Sequence, residues 1–461
     1  MTELVVLVCS VGIAGAIIAV EWTRGHVRGQ LDFLRAASGV YLLCFAIAPA
    51  YLQFADPALF RAGQWSWILR TPFQDAAFAY ASVLALIGYP VMLGGYWLAT
   101  RNHRAPTNDS PPVSRSYLWF AGLSIGLVGM TALLVYVRAL GGWVVFFVEA
   151  IALRSNSSVE GTAWAFLANV APLVIGAMLL FYALRQYQRR GGWRALATLL
   201  CVGFYLASLA LLFNQAGRAW FVAFLITLPL VRAVQRDRLR LTQVLLGGVL
   251  FALLIVFGRT FFQLVRDPAR LFEASTGEGG IASATRAIIW EFTFPVATLA
   301  NVIRSISEHG GLRWFYDLPL AFVYLVPQRI TGVMHEPTVS MVNTAMFGAD
   351  GGIPVDVLSL GYYSLLVPGA LITSAGLGAL LGLGERCFPA STDPVRAALR
   401  VSWILTLAFR VMYADPQLFW RAGLYLVITT LLVAAPGFLS RLLFLADDRG
   451  SRVLQASGSQ P

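Results

Sequence analysis

Lysine is absent from this 461-residue chain, and charge of either sign is scarce: 12% of the residues are charged, against roughly 25% in an ordinary soluble domain. All 34 basic residues are therefore arginine, and they lie scattered between apolar runs. That distribution excludes a polybasic nucleic-acid surface, so no nucleic-acid partner is expected. Cys9, Cys44, Cys201 and Cys387 are solitary and sit in or beside apolar segments, which excludes both a disulfide scaffold and a thiol metal site. The chain also lacks a Walker A loop, an H-E-x-x-H helix and a credible G-x-S-x-G nucleophile elbow. Met1-Thr2-Glu3 carries no positive leader region, so the first apolar run is expected to be a retained span.

What the chain has in quantity is apolar surface. Hydrophobic residues make up 58% of it and the mean hydropathy is +0.70. A bilayer-spanning helix needs about 20 such residues. The expected fold class is an all-α polytopic membrane protein. Runs near 4–20, 36–55, 76–99, 117–140, 162–184, 195–213, 219–234, 242–258, 356–383, 401–414 and 417–436 give about eleven spans. The domain reading is spans one to eight over 1–258, a long segment with short helices over 259–355, spans nine to eleven over 356–436, and a tail over 437–461. Connections 21–35, 100–116, 185–194, 232–240 and 384–400, with the tail, hold 20 arginines; the alternate side holds 14, seven of them in the one long loop. Because the positive-inside rule counts short loops, the arginine-rich side is expected to be cytoplasmic and the long loop on the outer face, which for a bacterial inner membrane is the periplasm. A loop so long and so rich in Trp, Phe and Tyr reads as a folded cap, not as a linker.

Three groups of residues suit chemistry on a phosphate. Arg218, in NQAGRAWFVAF, stands at the entry to span seven, where a helix N-terminus and a guanidinium fork together make an anion site. The alternative for Arg218 is an arginine snorkelling at the interface. Arg259, Arg266 and Arg270 follow span eight and would share one helical face if Pro268 starts a new helix, either meeting phosphates or forming a solvated face paired with Asp267 and Glu273; Arg286 lies in the apolar run TRAIIWEFTFP. The stretch YDLPLAFVYLVPQRITGVMHEPTVSMVN concentrates Tyr316, Asp317, Arg329, His335, Glu336 and Asn343. Group transfer to a hydroxyl needs a base and cationic stabilisation of a phosphate leaving group. His335 suits the base, since imidazole as a group ordinarily titrates near neutrality, and a solvated loop histidine is the alternative. The first outer loop, 56–75, has no paired-acid element, so a metal-dependent glycosyltransferase is not supported and no cofactor is expected.

In the order of these elements the chain resembles the O-antigen polymerases, the Wzy-type oligosaccharide repeat-unit polymerases. The matching pieces are Ala216-Gly217-Arg218 before a short span, a long outer loop ending in Pro327-Gln328-Arg329, then Glu336-Pro337, Asn343, and a span entry with Pro354, Tyr362 and Gly369. The likeness covers about residues 200 to 385 in detail; Ile330-Thr331, the glutamate of Glu336-Pro337 (commonly lysine) and Leu360 depart from the family pattern. It implies the architecture of the C-type membrane glycosyltransferases and transfer of a glycan from undecaprenyl pyrophosphate to the hydroxyl of a second lipid-linked repeat unit. It also implies catalysis by Arg218, Arg329 and His335, and substrate binding by Arg259, Arg266, Arg286, Tyr316, Asp317, Glu336, Asn343 and Tyr362. The implied partners are lipid-linked glycans, membrane lipids and a chain-length regulator. An O-antigen ligase, which passes the glycan to lipid A-core, and a polysaccharide or lipid transporter are the rival readings.

Overall fold

The computed structural model describes residues 1–24, 31–54, 74–101, 113–148, 166–188, 190–214, 218–236, 281–306, 311–326, 336–347 and 352–457, with a few single positions between them; for 218–219, 281–288, 290 and 437–457 it describes the backbone alone. The described elements are helices: α1 (Thr2–Thr23), α2 (Phe33–Phe54), α3 (Ala76–Thr100), α4 (Arg115–Ala139), α5 (Trp143–Val148), α6 (Leu167–Tyr187), α7 (Gly192–Asn214), α8 (Arg218–Gln235), α9 (Ile281–Ser305), α10 (Asp317–Val323), α11 (Val339–Phe347), α12 (Val357–Cys387), α13 (Pro394–Ala408) and α14 (Pro416–Ser457). Eight of them, namely α1, α2, α3, α4, α6, α7, α12 and α14 over Pro416–Pro436, are long and apolar enough to cross a membrane. The chain is a helical multi-pass membrane protein. Of the other three expected spans, two fall on the shorter helices α8 and α13, and 242–258 lies outside the described residues. Helix α14 continues through Ser457, into the stretch expected as a tail.

The few carboxylates have a consistent use. Asp32, Asp75, Asp356, Asp393 and Asp415 each accept from the first backbone N–H groups of a helix, where unpaired donors and the dipole favour an anion. In α2, residues Leu43–Ile47 widen into a π turn immediately before Pro49, whose ring could not fit a regular α turn.

The buried side chains form two clusters. One joins α1, α2, α3, α12 and the second half of α9; the other joins α4, α6, α7, α8 and α14. Helix α13 lies between them, with Ile404 and Leu407 in the first and Val395, Ala398 and Val401 in the second. The described residues in and beside the arginine-rich connections 21–35, 100–116, 185–194 and 384–400 meet at one end of the bundle. There Arg24 pairs with Glu21 and Asp32, Arg35 with Glu21, and Arg400 with Glu385, while Arg386 donates to the carbonyl of Ala99 and Tyr187 to Asp393. Arg304, Arg313, Arg410 and Arg421 belong to the opposite end.

The expected span nine divides into two limbs. Thr373 Oγ1 donates to the carbonyl of Val357 at 2.6 Å, although sixteen residues of straight helix would hold them about 24 Å apart. Leu365 and Leu366 leave helical geometry, with φ +56° at Leu366, and Pro368 restarts the helix. The chain thus turns back on itself, and the limbs 357–364 and 367–387 pack so closely at Gly361 and Gly369 that neither position has room for a side chain. Only the second limb can be a full crossing; the first is about 12 Å long. Residues 353–356 run extended into the interior to reach its start. There Asn343 Nδ2 donates to the carbonyl of Ile353 (3.2 Å), Thr344 Oγ1 accepts from Ile353 N (2.8 Å), and Ala414 N donates to the carbonyl of Val355 (2.7 Å). Fully buried Asp356 then caps the limb through the N–H groups of Leu358 and Ser359 and the Ser359 hydroxyl.

Candidate functional site

The turn of this hairpin, at the end opposite the arginine-rich connections, is the base of a cleft. The last carbonyls of the first limb have no partner within a helix. The backbone N–H of Arg313 donates to Tyr363 O (2.9 Å) and that of Trp314 to Ser364 O (3.1 Å). To present those donors, Trp314 and Phe315 take left-handed backbone angles, φ +50° and +57°, which are uncommon for residues with large side chains. The segment then enters α10.

Arg313 grips the start of α10 with a fork. Its Nε and Nη2 donate to the two Asp317 carboxylate oxygens at 2.6 and 2.8 Å, and Nη2 also donates to Pro337 O at 2.9 Å. Burial pulls the guanidinium pKa down, but the hydrogen bonds and charge of Asp317 more than offset it and leave Arg313 above its ordinary value. Asp317 accepts in addition from Val339 N (3.0 Å), which ties α10 to the first turn of α11. Tyr324 donates its hydroxyl to Glu336 O. Buried Asn343 accepts from the Tyr363 phenol at 2.9 Å while its amide nitrogen donates to the carbonyls of 353 and 354.

This frame encloses a cleft of about 440 Å³, lined among others by Arg313, Trp314, Tyr316, Glu336, Met346 and Tyr363. The Trp314 ring is largely exposed, and the faces of Trp314 and Tyr316 offer an amphipathic platform of the kind on which a sugar ring can lie. The exposed Glu336 supplies a carboxylate at the rim. A carboxylate beside an aromatic platform can orient a hydroxyl and accept its proton.

Of the expected site residues, the structure brings Tyr316 and Glu336 into the cleft and places Asp317 and Asn343 behind it, as its framework. Tyr362 stands apart: it is buried in the first cluster, near Tyr80 of α3, and its neighbour Tyr363 faces the cleft instead. Arg259, Arg266, Arg329 and His335 lie outside the described residues, and only the backbone is described at Arg218, the first residue of α8, and Arg286, within α9. Sequence reasoning missed Arg313, Trp314 and Tyr363. Arg313 could have been found from its four-residue spacing to Asp317, an ion-pair spacing on a helix. Among the described residues there is no cluster of three or more His, Cys, Asp or Glu side chains arranged to hold a metal ion. Comparison of the chain with protein-family models, with curated proteins and with solved structures finds no match in any of the three.

Proposed function

We propose that this protein is a membrane glycosyltransferase of the outer face that polymerises lipid-linked oligosaccharide repeat units. The observation that carries the reading is the cleft: an aromatic and carboxylate-bearing pocket of sugar-ring dimensions, built at the end of a multi-pass bundle away from the arginine-rich connections. The resemblance in the order of motifs supports it. In this reaction the bond between the sugar's anomeric carbon and the pyrophosphate oxygen breaks, and the pyrophosphate leaves with the electron pair. The acceptor hydroxyl bonds to that carbon and its proton passes to a base. Trp314 and Tyr316 would hold the acceptor sugar, and Glu336 or His335 would take the proton. Arg218 and Arg329 would neutralise the leaving pyrophosphate, assisted by Arg259, Arg266 and Arg286; cationic stabilisation of this kind can supply most of the rate without a metal. The substrates are glycans on undecaprenyl pyrophosphate, and a chain-length regulator is a fitting partner.

The test is purified protein in detergent with lipid-linked repeat units, with and without EDTA, read as a ladder of products. A ladder that survives EDTA and disappears in Glu336→Gln or Trp314→Ala supports the reading. Transfer only to lipid A-core would replace it with a ligase, and movement of intact lipid across vesicles without transfer would replace it with a transporter.

A further inference from the structure

Helix α10 and the turn that follows it are apolar on every side. Asp317, Leu320, Ala321 and Tyr324, at helical spacing, face inward and are buried. The opposite face carries Leu318, Pro319, Phe322 and Val326, all exposed, with Leu318 at 49% and Phe322 at 53%. From Leu318 to Val326 the only polar side chain is that of Tyr324, which lies on the buried face. A helix on a water-covered surface keeps a polar outer face, whereas one that is apolar all round belongs in an apolar medium.

Three observations identify that medium. First, the Phe322 ring packs on that of Trp420 with centroids 4.6 Å apart, and Trp420 stands near the start of the span Pro416–Pro436 in α14. That span is the least buried of the eight candidate crossings and has Leu418 and Leu431 exposed along it, so hydrocarbon lies against it. The outer face of α10 is therefore continuous with a lipid-facing surface, at the level where a crossing begins and where amphipathic rings such as Trp420 anchor a helix. Second, the seven residues of α10 rise only about 10 Å, far less than the hydrocarbon thickness, so this helix can lie in the interface but cannot cross. Third, the irregular backbone that leads into it has partners, because the N–H groups of Arg313 and Trp314 donate to the carbonyls of Tyr363 and Ser364. Satisfied backbone groups are the condition for irregular chain at membrane depth.

We infer that α10 is immersed in the leaflet at the cleft end of the bundle, with its Leu318, Phe322 and Val326 face against phospholipid acyl chains. Asp317 ties α10 to the Arg313 guanidinium and to the N–H of Val339 at the start of α11, and Arg313 also lines the cleft. The immersed helix thereby fixes the height of the cleft relative to the bilayer surface, as an interfacial anchor does for a peripheral domain. Immersion requires nothing of the reaction proposed above and holds for any activity of the cleft.

The experiment places one spin label at a time on the full-length protein in mixed phosphatidylethanolamine and phosphatidylglycerol vesicles. The labelled variants are Leu318→Cys and Phe322→Cys, with Leu418→Cys as the reference in lipid and Glu336→Cys, at the exposed rim of the cleft, as the reference in water. All carry Cys387→Ser, which removes the exposed native cysteine; the other three are buried. Collision with oxygen, which partitions into hydrocarbon, relative to collision with a water-soluble nickel chelate should be about tenfold higher at 318 and 322 than at 336 and should match that at 418. A ratio at 318 and 322 equal to that at 336 overturns the immersion. Protection of both positions from both reagents also overturns it, because a second protein chain would then cover the face. The unmutated protein gives a readout that does not depend on any variant folding. A phospholipid with a diazirine in its acyl chain should label peptides within 317–326 as well as 416–436, and labelling of 416–436 without 317–326 overturns the assignment.

Discussion

The hairpin in α12 can be tested by adding one methyl group. At Gly369 a methyl carbon would fall 2.9 Å from the carbonyl carbon of Gly361 and nearer still to its oxygen, and a methyl at Gly361 would meet the Gly369 carbonyl in the same way. Ordinary carbon contacts need about 3.5–4.0 Å, so the limbs must part by about 1 Å, which forfeits roughly a quarter to a half of the dispersion energy across the contact. The obstruction is backbone, so no rotamer change relieves it. Overpacking of this kind costs about 1–3 kcal/mol. Separation also strains the 2.6 Å bond from Thr373 to Val357, worth about 1 kcal/mol. Gly361→Ala should therefore destabilise by about 3 kcal/mol. Gly376→Ala, on the same helix but facing open space, should be neutral and is the control. Thermal loss of monodisperse protein in detergent measures both. A direct check is the pair Val357→Cys with Thr373→Cys, which should form a cross-link under mild oxidation because the two positions are in contact. Indistinguishable melting of the two alanine variants, together with no cross-link between 357 and 373, would mean that α12 is straight and the reasoning is wrong.

Asp317→Ala should cost about 3 kcal/mol, the lower end for breaking a buried pair because Arg313 is 16% exposed, and it should loosen α10 and α11 together as read by protease sensitivity. Tyr363→Phe should cost about 1 kcal/mol, and its effect should be non-additive with Asn343→Ala in thermal melts; strict additivity would show that the pair does not interact. Of the four native cysteines only Cys387 is exposed, so an impermeant maleimide should label it from the cytoplasmic face alone, whereas Trp314→Cys should label from the outside; labelling of both from one side would remove the outer-face reading.

Hydropathy and arginine placement are local signals, and they located the long helices and the connections that the structure gathers at one end. The hairpin was illegible for a physical reason: 356–383 is one apolar run, and a return at half depth has the same composition as a crossing. Asp356, Gly361, Pro368 and Gly369 mark it only once their packing partners are seen. Their setting among prolines and aromatics leads to the expectation that Asp317 and Asn343 bind substrate, whereas both are engaged in the frame, because which role a polar side chain takes depends on which distant segment faces it. Arg313, the Nε and Nη2 donor that engages Asp317, carries no sequence mark beyond spacing. Arg410 reads as an ordinary arginine at a helix end; that one of its nitrogens has no partner among the described residues is a tertiary fact.

The extended stretch 353–356 also constrains how the protein is made. An extended peptide in hydrocarbon has no internal partners for its N–H and C=O groups. Here they come from Asn343 and Thr344, already synthesised, and from Ala414, which follows only after α13 has been completed. A nascent chain that has just emerged through Cys387 therefore lacks the N–H of Ala414 that donates to the Val355 carbonyl, and this stretch is still missing one of its partners. The order of burial departs from the order of synthesis at this point: the second limb of α12 has its partners as it is translated, while the entry to the first limb is completed only once α13 and Ala414 have followed.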